Sequence, residues 1–332
     1  MTTTRMSEPP SEESLVLQRL RRAHRVLVTS HRSPDGDALG SALGLAEMLR
    51  LLGVEAQVVN RDPHPASLAF LPGLESVQVV DRLPAGFAGE YDLAVVLECP
   101  GLDRPGLDGL DALPIVNIDH HLSNETYGEV NWIDETAPAV GEMVLRLVQA
   151  AGVPLGADLA TNLYTALVTD TGDFRYANTT PRAFTAATDL VLAGARPHHI
   201  AEALWEHVPA RVVRLTGAVL QTLEVLAGGR LAVVWCDREM LDRAGAMPED
   251  TENLVNYPRS IDGVEVAVLL KAFAPDSVRV SLRSRGAVDV RLVASAFGGG
   301  GHREAAGCTI PMPLTEALKA LVKVLIPAVE SA

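Results

Sequence analysis

HRSPDGD, residues 31–37, brings three ligand-type side chains together: His31, Asp35 and Asp37, shortly after the apolar run Val26-Leu27-Val28. Further groups of this kind follow: Glu98 closes the run 93–97, Asp119-His120-His121 closes 115–118, and the helix-like NLYTALVTD delivers Asp170 into a TDTGD turn. Imidazole and carboxylate donors without thiolates suit Mn²⁺, Fe²⁺, Co²⁺ or Zn²⁺ better than Ca²⁺. The set is too large for one ion. Two ions sharing a carboxylate is the economical arrangement, and paired ions are the usual apparatus for cleaving phosphate esters.

Such a centre needs a scaffold that gathers distant residues. Short apolar, largely β-branched runs predict strands over 25–30, 54–59, 77–80, 93–97 and 115–118, and apolar spacing predicts a helix over 38–52 that stops at Gly53. Alternating strands and helices predict an α/β domain with a mostly parallel sheet flanked by helices. In such sheets the reactive groups lie beyond the carboxyl ends of the strands, where His31, Asp35, Asp37, Glu98 and the Asp119-His120-His121 triplet are expected. Asp92 and Asp103 compete with Glu98. Asp92 starts its strand and sits roughly 20 Å from the strand's far end, and Asp103 lies past the Pro100-Gly101 turn, so Glu98 is preferred. Taken singly, each group has a bland explanation, such as a solvated loop with an Asp helix cap; their recurrence at successive strand ends favours a metal centre.

Helical stretches are expected over 138–151 and 157–168 and from 181 onward. After a helical connector the pattern changes to the runs LAVVWC, VEVAVLLKAF and SVRVSLRS and a helix-like VRLVASAF, predicting a smaller α+β domain. The expected divisions are 1–189 for the metal-bearing domain, 190–228 for the connector and 229–332 for a substrate-binding domain, with a cleft between the two. His198, His199, Trp205 and His207 read as connector surface or interdomain packing rather than as ligands.

The length of 332 residues accommodates two domains, and 48% hydrophobic with 21% charged residues describes a soluble globular chain. Leu15-Val16-Leu17 runs into Arg19, Arg21 and Arg22, so no secretory segment is expected and the cytoplasm is the expected location. Cys99, Cys236 and Cys308 are too far apart for a CxxC zinc site and fit no disulfide framework. A formal net charge of −14 argues against coating long nucleic acid, which requires many cations against many phosphates. A short anionic substrate remains compatible, because bound cations make a positive pocket on an acidic protein.

Across HRSPDGDALGS (31–41), NIDHH (117–121), ALVTDTGDFRYANTTP (166–181), ENLVNYPRSIDGVEVAVLL (252–270), SLRS (281–284) and FGGGGHREAAG (297–307), the chain resembles the DHH phosphoesterase family with its DHH-associated C-terminal domain. Within the family it is similar to the oligoribonuclease (nanoRNase) branch that also dephosphorylates pAp. The resemblance implies two divalent ions, Mn²⁺ first among the candidates. His31, Asp35 and Glu98 would hold one, and Asp37, Glu98, His120 and Asp170 the other. Asp119 would orient its neighbours, and His121 would face the scissile phosphate or the leaving oxygen. Activated water would attack phosphorus in line, the 3′ oxygen would leave as a 5′-mononucleotide forms, and the 3′-phosphate of pAp would be removed in the same way. Short RNA oligonucleotides, pAp and other small nucleotides are the implied partners, with no long nucleic-acid track and no membrane; a homodimer is open to it.

The substrate grip is implied for Arg283, Ser284, Gly298, Gly299, Gly300, Gly301 and His302. The four glycines let backbone N–H groups approach an anion, His302 adds a donor, and an Arg at a strand end suits bidentate capture of phosphate. The same family scaffold serves cyclic di-AMP and pApA phosphodiesterases, and also processive exonucleases of the RecJ type, against which the short chain counts. A nucleotide-binding protein impaired in catalysis is the alternative of another class. That alternative arises because Glu98 stands where the family normally has Asp, and a bridging Glu requires the strand end or its rotamer to shift. Altered metal spacing or a weaker first site is therefore expected: Glu98→Asp should change Mn²⁺ stoichiometry or turnover, and no change in either would refute the idea.

Overall fold

Alternation of apolar strands and helices over the first two hundred residues closes into one parallel sheet. The computed structural model describes residues 10–331, which divide into two compact units, one ending at His207 and the other beginning at Val208. The first unit contains α1 (Glu12–Arg22), β1 (Arg25–Thr29), α2 (Gly36–Leu51), β2 (Glu55–Asn60), β3 (Gln78–Val79), β4 (Leu93–Leu97), β5 (Ile115–Asp119) and β6 (Val130–Ile133), followed by α3 (Val140–Ala151), α4 (Ala157–Asp170), α5 (Pro181–Leu192) and α6 (Pro197–Ala201). The strand order is β3-β2-β1-β4-β5-β6, every pair parallel. The chain therefore leaves β1 in one direction and β4 in the other, and the gap between their carboxyl ends is the switch point where α/β sheets place ligands.

One face of this sheet packs its Val26, Val28 and Val95 against the helices, while Leu27, Ala94 and Val96 are covered by Phe87, Leu107, Leu110 and their neighbours in short turns. The helix α1 and the edge strand β6 were not legible in the sequence. Only Val16, Leu17 and Leu20 of α1 are buried, and β6 is four residues long with Trp132 alone buried.

The helix α2 is buried on nearly all sides, and its neighbour is α4. Gly36, Gly40 and Gly44 recur every fourth residue, so they share one face. A Cβ at Gly36 would lie 2.4 Å from Thr169 Oγ1, at Gly40 2.4 Å from the Asn162 carbonyl oxygen, and at Gly44 2.6 Å from Leu163. The two helices thus approach as closely as their backbones permit.

The second unit contains α7 (Ala210–Leu220), β7 (Glu224–Leu226), β8 (Leu231–Asp237), α8 (Arg238–Ala244), α9 (Asn256–Arg259), β9 (Val266–Ala274), β10 (Ser277–Ser284), α10 (Val290–Ser295), β11 (Gly300–Gly301), β12 (Ala305–Ile310) and α11 (Leu314–Glu330). Its sheet runs β11-β12-β10-β9-β8-β7, antiparallel apart from the β8–β9 pair. One face packs on α10 and on Ala317, Leu321, Leu325 and Val329 of α11; the β8–β9 part of the other is covered by Leu215 and Val219 of α7 together with Leu241, Leu254 and Val255. Of the stretch 190–228, Ile200 is buried in the first unit's core, and Leu215 and Val219 in the second's. Among the described residues no helix is long and apolar enough to cross a membrane.

The α2–α4 contact yields a stability test. Gly40→Ala raises helix propensity yet forces a methyl onto the backbone oxygen of Asn162. It should cost about 1–3 kcal/mol, read as a lowered denaturant midpoint at unchanged slope, whereas Gly53→Asn, at a helix end with open space, should change stability by less than about 1 kcal/mol.

Candidate metal centre

Six of the sequence-predicted ligands converge at the switch point, and they fall into two groups. Asp37, Glu98, His120 and Asp170 form one; His31, Asp35 and Glu98 form the other; within each group one donor atom per residue lies within 4.8 Å of all the others. Glu98 belongs to both. His31 Nε2 stands 3.6 Å from Glu98 Oε2 and 3.9 Å from Asp35 Oδ1, and His120 Nε2 stands 3.8 Å from Asp170 Oδ2.

Local structure fixes each donor. Asp35 caps α2, its Oδ1 accepting from Asp37 N and Ala38 N at 3.0 Å. Asp37 lies in the first turn and accepts from Ser41 Oγ at 2.8 Å, Val140 N at 2.7 Å and Gly141 N at 2.9 Å. Both imidazoles donate through Nδ1 to a carbonyl, His31 to Arg32 at 2.8 Å and His120 to Ala137 at 3.1 Å. That bond selects the tautomer whose Nε2 lone pair points at the carboxylates. Asp170 is the last residue of α4, and Asn178 Nδ2 donates to its Oδ2 at 3.3 Å and its carbonyl at 3.2 Å. Gly172 makes the following turn possible: its φ is +56° and a Cβ would strike the Tyr176 ring at 2.3 Å.

The backbone turns sharply at Glu98. The strand β4 stops at Leu97 and Glu98 takes a left-handed φ of +55°, a conformation costing a side-chain-bearing residue about 1–3 kcal/mol. The next peptide is held by Asn124 Nδ2 and Tyr127 Oη, which donate to the Cys99 carbonyl at 3.2 and 2.9 Å.

The electrostatics favour a cation. Burial, and then Asp37, hold the Glu98 carboxyl well above the usual carboxylate range, and the same causes lift Asp170 to about 7. Burial raises Asp37, opposed by His120. Glu98 Oε2 is buried and has no hydrogen-bond partner. Clustered oxygens and lone-pair nitrogens with an orphaned buried carboxylate oxygen form an acidic donor set that fits divalent metal.

Asp119 is fully buried and lies outside both groups. Its Oδ1 accepts from His121 Nδ1 at 2.7 Å and from His120 N at 2.8 Å, and its Oδ2 from Asn124 Nδ2 at 2.6 Å. Burial opposes its ionisation, but the bond from His121 leads the contacts that bring its pKa below the usual value. Asn124 and Asn178 went unrecognised as positioning residues; single Asn residues in loops carry no spacing signal. Arg182 was missed too. It pairs with Glu142 of α3 and, at 2.9 Å, with Asp134 after β6, bracketing the segment that provides the Ala137, Val140 and Gly141 backbone groups.

The rival acids have other roles. Asp92 receives His24 N and Arg25 N at 2.5 and 2.8 Å, closing the start of β1, and Asp103 lines a surface pocket together with Arg32 and Arg61. His198, His199 and His207 are exposed around α6.

In the second unit Arg283 is half-buried and faces outward from β10, its guanidinium donating to the Leu282 carbonyl at 3.0 Å. Burial, then Arg259, lower its pKa. Ser284 corrects an expectation: strand alternation turns it to the opposite face, where it is fully buried, and its hydroxyl is not presented to a ligand. Gly299 and Gly301 are required by packing, since a Cβ on either would meet the β12 backbone at 2.2 or 2.6 Å. A Cβ on Gly298 or Gly300 would meet open space, and His302 is exposed.

The family models match both units: the DHH family N-terminal domain over residues 25–168 and the DHHA1 domain over 228–331. The chain is 37% identical over 287 residues to the Thermus thermophilus protein named bifunctional oligoribonuclease and PAP phosphatase NrnA, covering 86% of this chain and 84% of that one. The Bacillus subtilis protein of the same name is 28% identical over 291 residues, covering 86% and 89%. Among solved structures, an exopolyphosphatase-related protein from Bacteroides fragilis is similar at a TM-score of 0.87 and 26% identity, covering 98% of this chain and 100% of that one. With Asp119-His120-His121 ending β5 at the switch point and both domain models matched in order, the chain belongs to the DHH family and carries a DHHA1 domain.

Proposed function

We propose that the chain is a dinuclear-metal phosphoesterase that hydrolyses short oligoribonucleotides to 5′-mononucleotides and dephosphorylates pAp to AMP. The observation that carries this reading is the membership of one carboxylate, Glu98, in two separate ligand groups. His31, Asp35 and Glu98 would hold one ion and Asp37, Glu98, His120 and Asp170 the other, with Mn²⁺ as the first choice. The names of the two similar curated proteins support the substrate class.

When bound, divalent ions would lower the pKa of water and neutralise charge building on the phosphoryl oxygens. His121 lies beside the His120 ring, edge to face with centroids 5.1 Å apart. Asp119 fixes its Nδ1–H, so Nε2 is the atom offered to a phosphoryl or leaving oxygen. Asp119 acts as the orienting group and is itself spent on that bond. In the second unit Arg283 would grip a substrate phosphate, with Gly298, Gly300 and His302 as the open part of the glycine loop. We assign catalysis to the DHH unit and substrate grip to the DHHA1 unit. Three free, buried cysteines agree with a cytoplasmic setting.

Incubation with Mn²⁺ and an equimolar mixture of pApA, pAp, c-di-AMP and a long single-stranded RNA tests the reading. AMP should appear from pApA and pAp, the other two should be spared, and EDTA should abolish release; absence of any metal-dependent product would shift the assignment to a binding role. Equilibrium dialysis separates the sites: Glu98→Ala should weaken both Mn²⁺ sites, while His31→Ala and His120→Ala should each weaken one. His121→Asn should retain both sites and lose about 10²–10⁴-fold in kcat.

A further inference from the structure

Three of the four side chains in the Asp37, Glu98, His120 and Asp170 group depend on one distant segment, residues 134–142. Val140 N and Gly141 N donate to Asp37 at 2.7 and 2.9 Å, and the Ala137 carbonyl accepts from His120 Nδ1 at 3.1 Å. Asn178 links the third, its Nδ2 donating to the Pro138 carbonyl at 3.0 Å and to Asp170 Oδ2 at 3.3 Å. The helix α3 starts at Val140, and its N-cap, Ala139, offers no side-chain acceptor. Asp37 therefore caps a helix that begins 103 residues further along the chain. His31 and Asp35 have no such dependence. His31 Nδ1 donates to the Arg32 carbonyl, and Asp35 Oδ1 accepts from Asp37 N and Ala38 N, so these bonds stay within residues 31–38. One donor group is shaped by its own loop and the other by tertiary contact.

Ion pairs from the start of α5 hold that segment at both ends. Arg182 Nε donates to Glu142 Oε1 at 2.7 Å while its Nη2 meets Oε2, a two-point grip on a carboxylate that is only 5% exposed. The same guanidinium donates through Nη1 to Asp134 Oδ2 at 2.9 Å and to Thr136 Oγ1 at 3.3 Å. Asp134 N in turn donates to the Asp119 carbonyl at 3.0 Å, which ties the segment to the end of β5. A planar fork with donors on two sides spans both carboxylates, and the point charge of a Lys ammonium cannot reproduce it.

We propose that Arg182 is a positioning residue for one ion of the pair: by fixing residues 134–142 it sets Asp37, His120 and Asp170, and it leaves the site of His31 and Asp35 unaffected. The inference rests on the two-ion reading proposed above. Without the guanidinium, Glu142 and Asp134 lose the charge between them, and the amides and carbonyls that aim three donors are released with the segment. The defect is therefore unequal occupancy of the two sites, not a general loss of metal binding.

Equilibrium dialysis of the full chain against Mn²⁺, with a denaturant midpoint for every variant, tests this apart from catalysis. The unmodified chain should bind two ions. Arg182→Ala should weaken one site about 10–100-fold and leave the other within about twofold, and Arg182→Lys should weaken the same site by less. Asn178→Ala strands no buried charge, so it should fold and show the same pattern even where Arg182→Ala does not. On a His120→Ala background, Arg182→Ala should change the remaining site by less than about twofold; on a His31→Ala background it should weaken the remaining site about 10–100-fold. Equal weakening of both sites in the folded variants, or an effect confined to the midpoint, would overturn the inference alone. Fewer than two Mn²⁺ ions on the unmodified chain would overturn the two-ion reading and the inference with it.

Discussion

The centre depends on how closely α2 and α4 can approach. Asp35 and Asp37 stand at the start of α2, and Asp170 at the end of α4. Carboxylates on separate helices meet around one point only if the helix axes come together, and side chains between them would hold them apart. Gly36, Gly40 and Gly44 remove that obstacle, and Gly141 does the same for α3, where a Cβ would lie 2.4 Å from Ala166. The donor groups are therefore brought together by residues with no side chain, from Gly36 between Asp35 and Asp37 to Gly44 two turns further along α2.

That geometry creates an electrostatic problem which the rest of the site answers. Asp37, Glu98 and Asp170 lie close together, and each has its ionisation opposed by burial. Part of the compensation comes from the protein: Ser41 and the amides of Val140 and Gly141 all serve Asp37. Glu98 receives no such help at Oε2. The carboxylate with the least protein support is the one common to both groups, and a cation is the partner that satisfies it. Asp119 represents the opposite design, ionised and saturated by His120, His121 and Asn124, so it holds geometry without taking part in the donor groups.

Much of this was legible from residue types at strand ends. His31, Asp35, Asp37, Glu98 and His120 announce themselves because ligand-type side chains shortly after buried apolar strands are unusual, and the chain direction says which end of the sheet they occupy; Asp170 was read instead from a helix-like run that ends in a glycine-sharpened turn. Asp92 could be set aside by the same rule, and the structure gives it a different task at the start of β1. What stayed hidden is contact that depends on packing. The four-residue glycine spacing in α2 was present in ALGSALG but reads only as a tolerated helix until α4 is laid against it. Asn124, Asn178 and Arg182 act through loops whose paths no period predicts. Ser284 was misplaced because a motif names neighbours in sequence, and a strand sends neighbours to opposite faces. The helix α11 carried a clear stripe at Ala317, Leu321, Leu325 and Val329, which went unread beside the louder glycine loop.

Both sheets end in very short strands. The outer members are β3 with 2 residues and β6 with 4 in the first unit, β11 with 2 and β7 with 3 in the second. An exposed strand edge is a template for pairing with another chain, and edges this brief offer too few free backbone groups to recruit one. The parallel sheet, rich in Val and Leu and slow to assemble by its topology, is thereby guarded against edge-to-edge aggregation. Any self-association of the folded protein has to be built from side-chain surfaces rather than by extending either sheet.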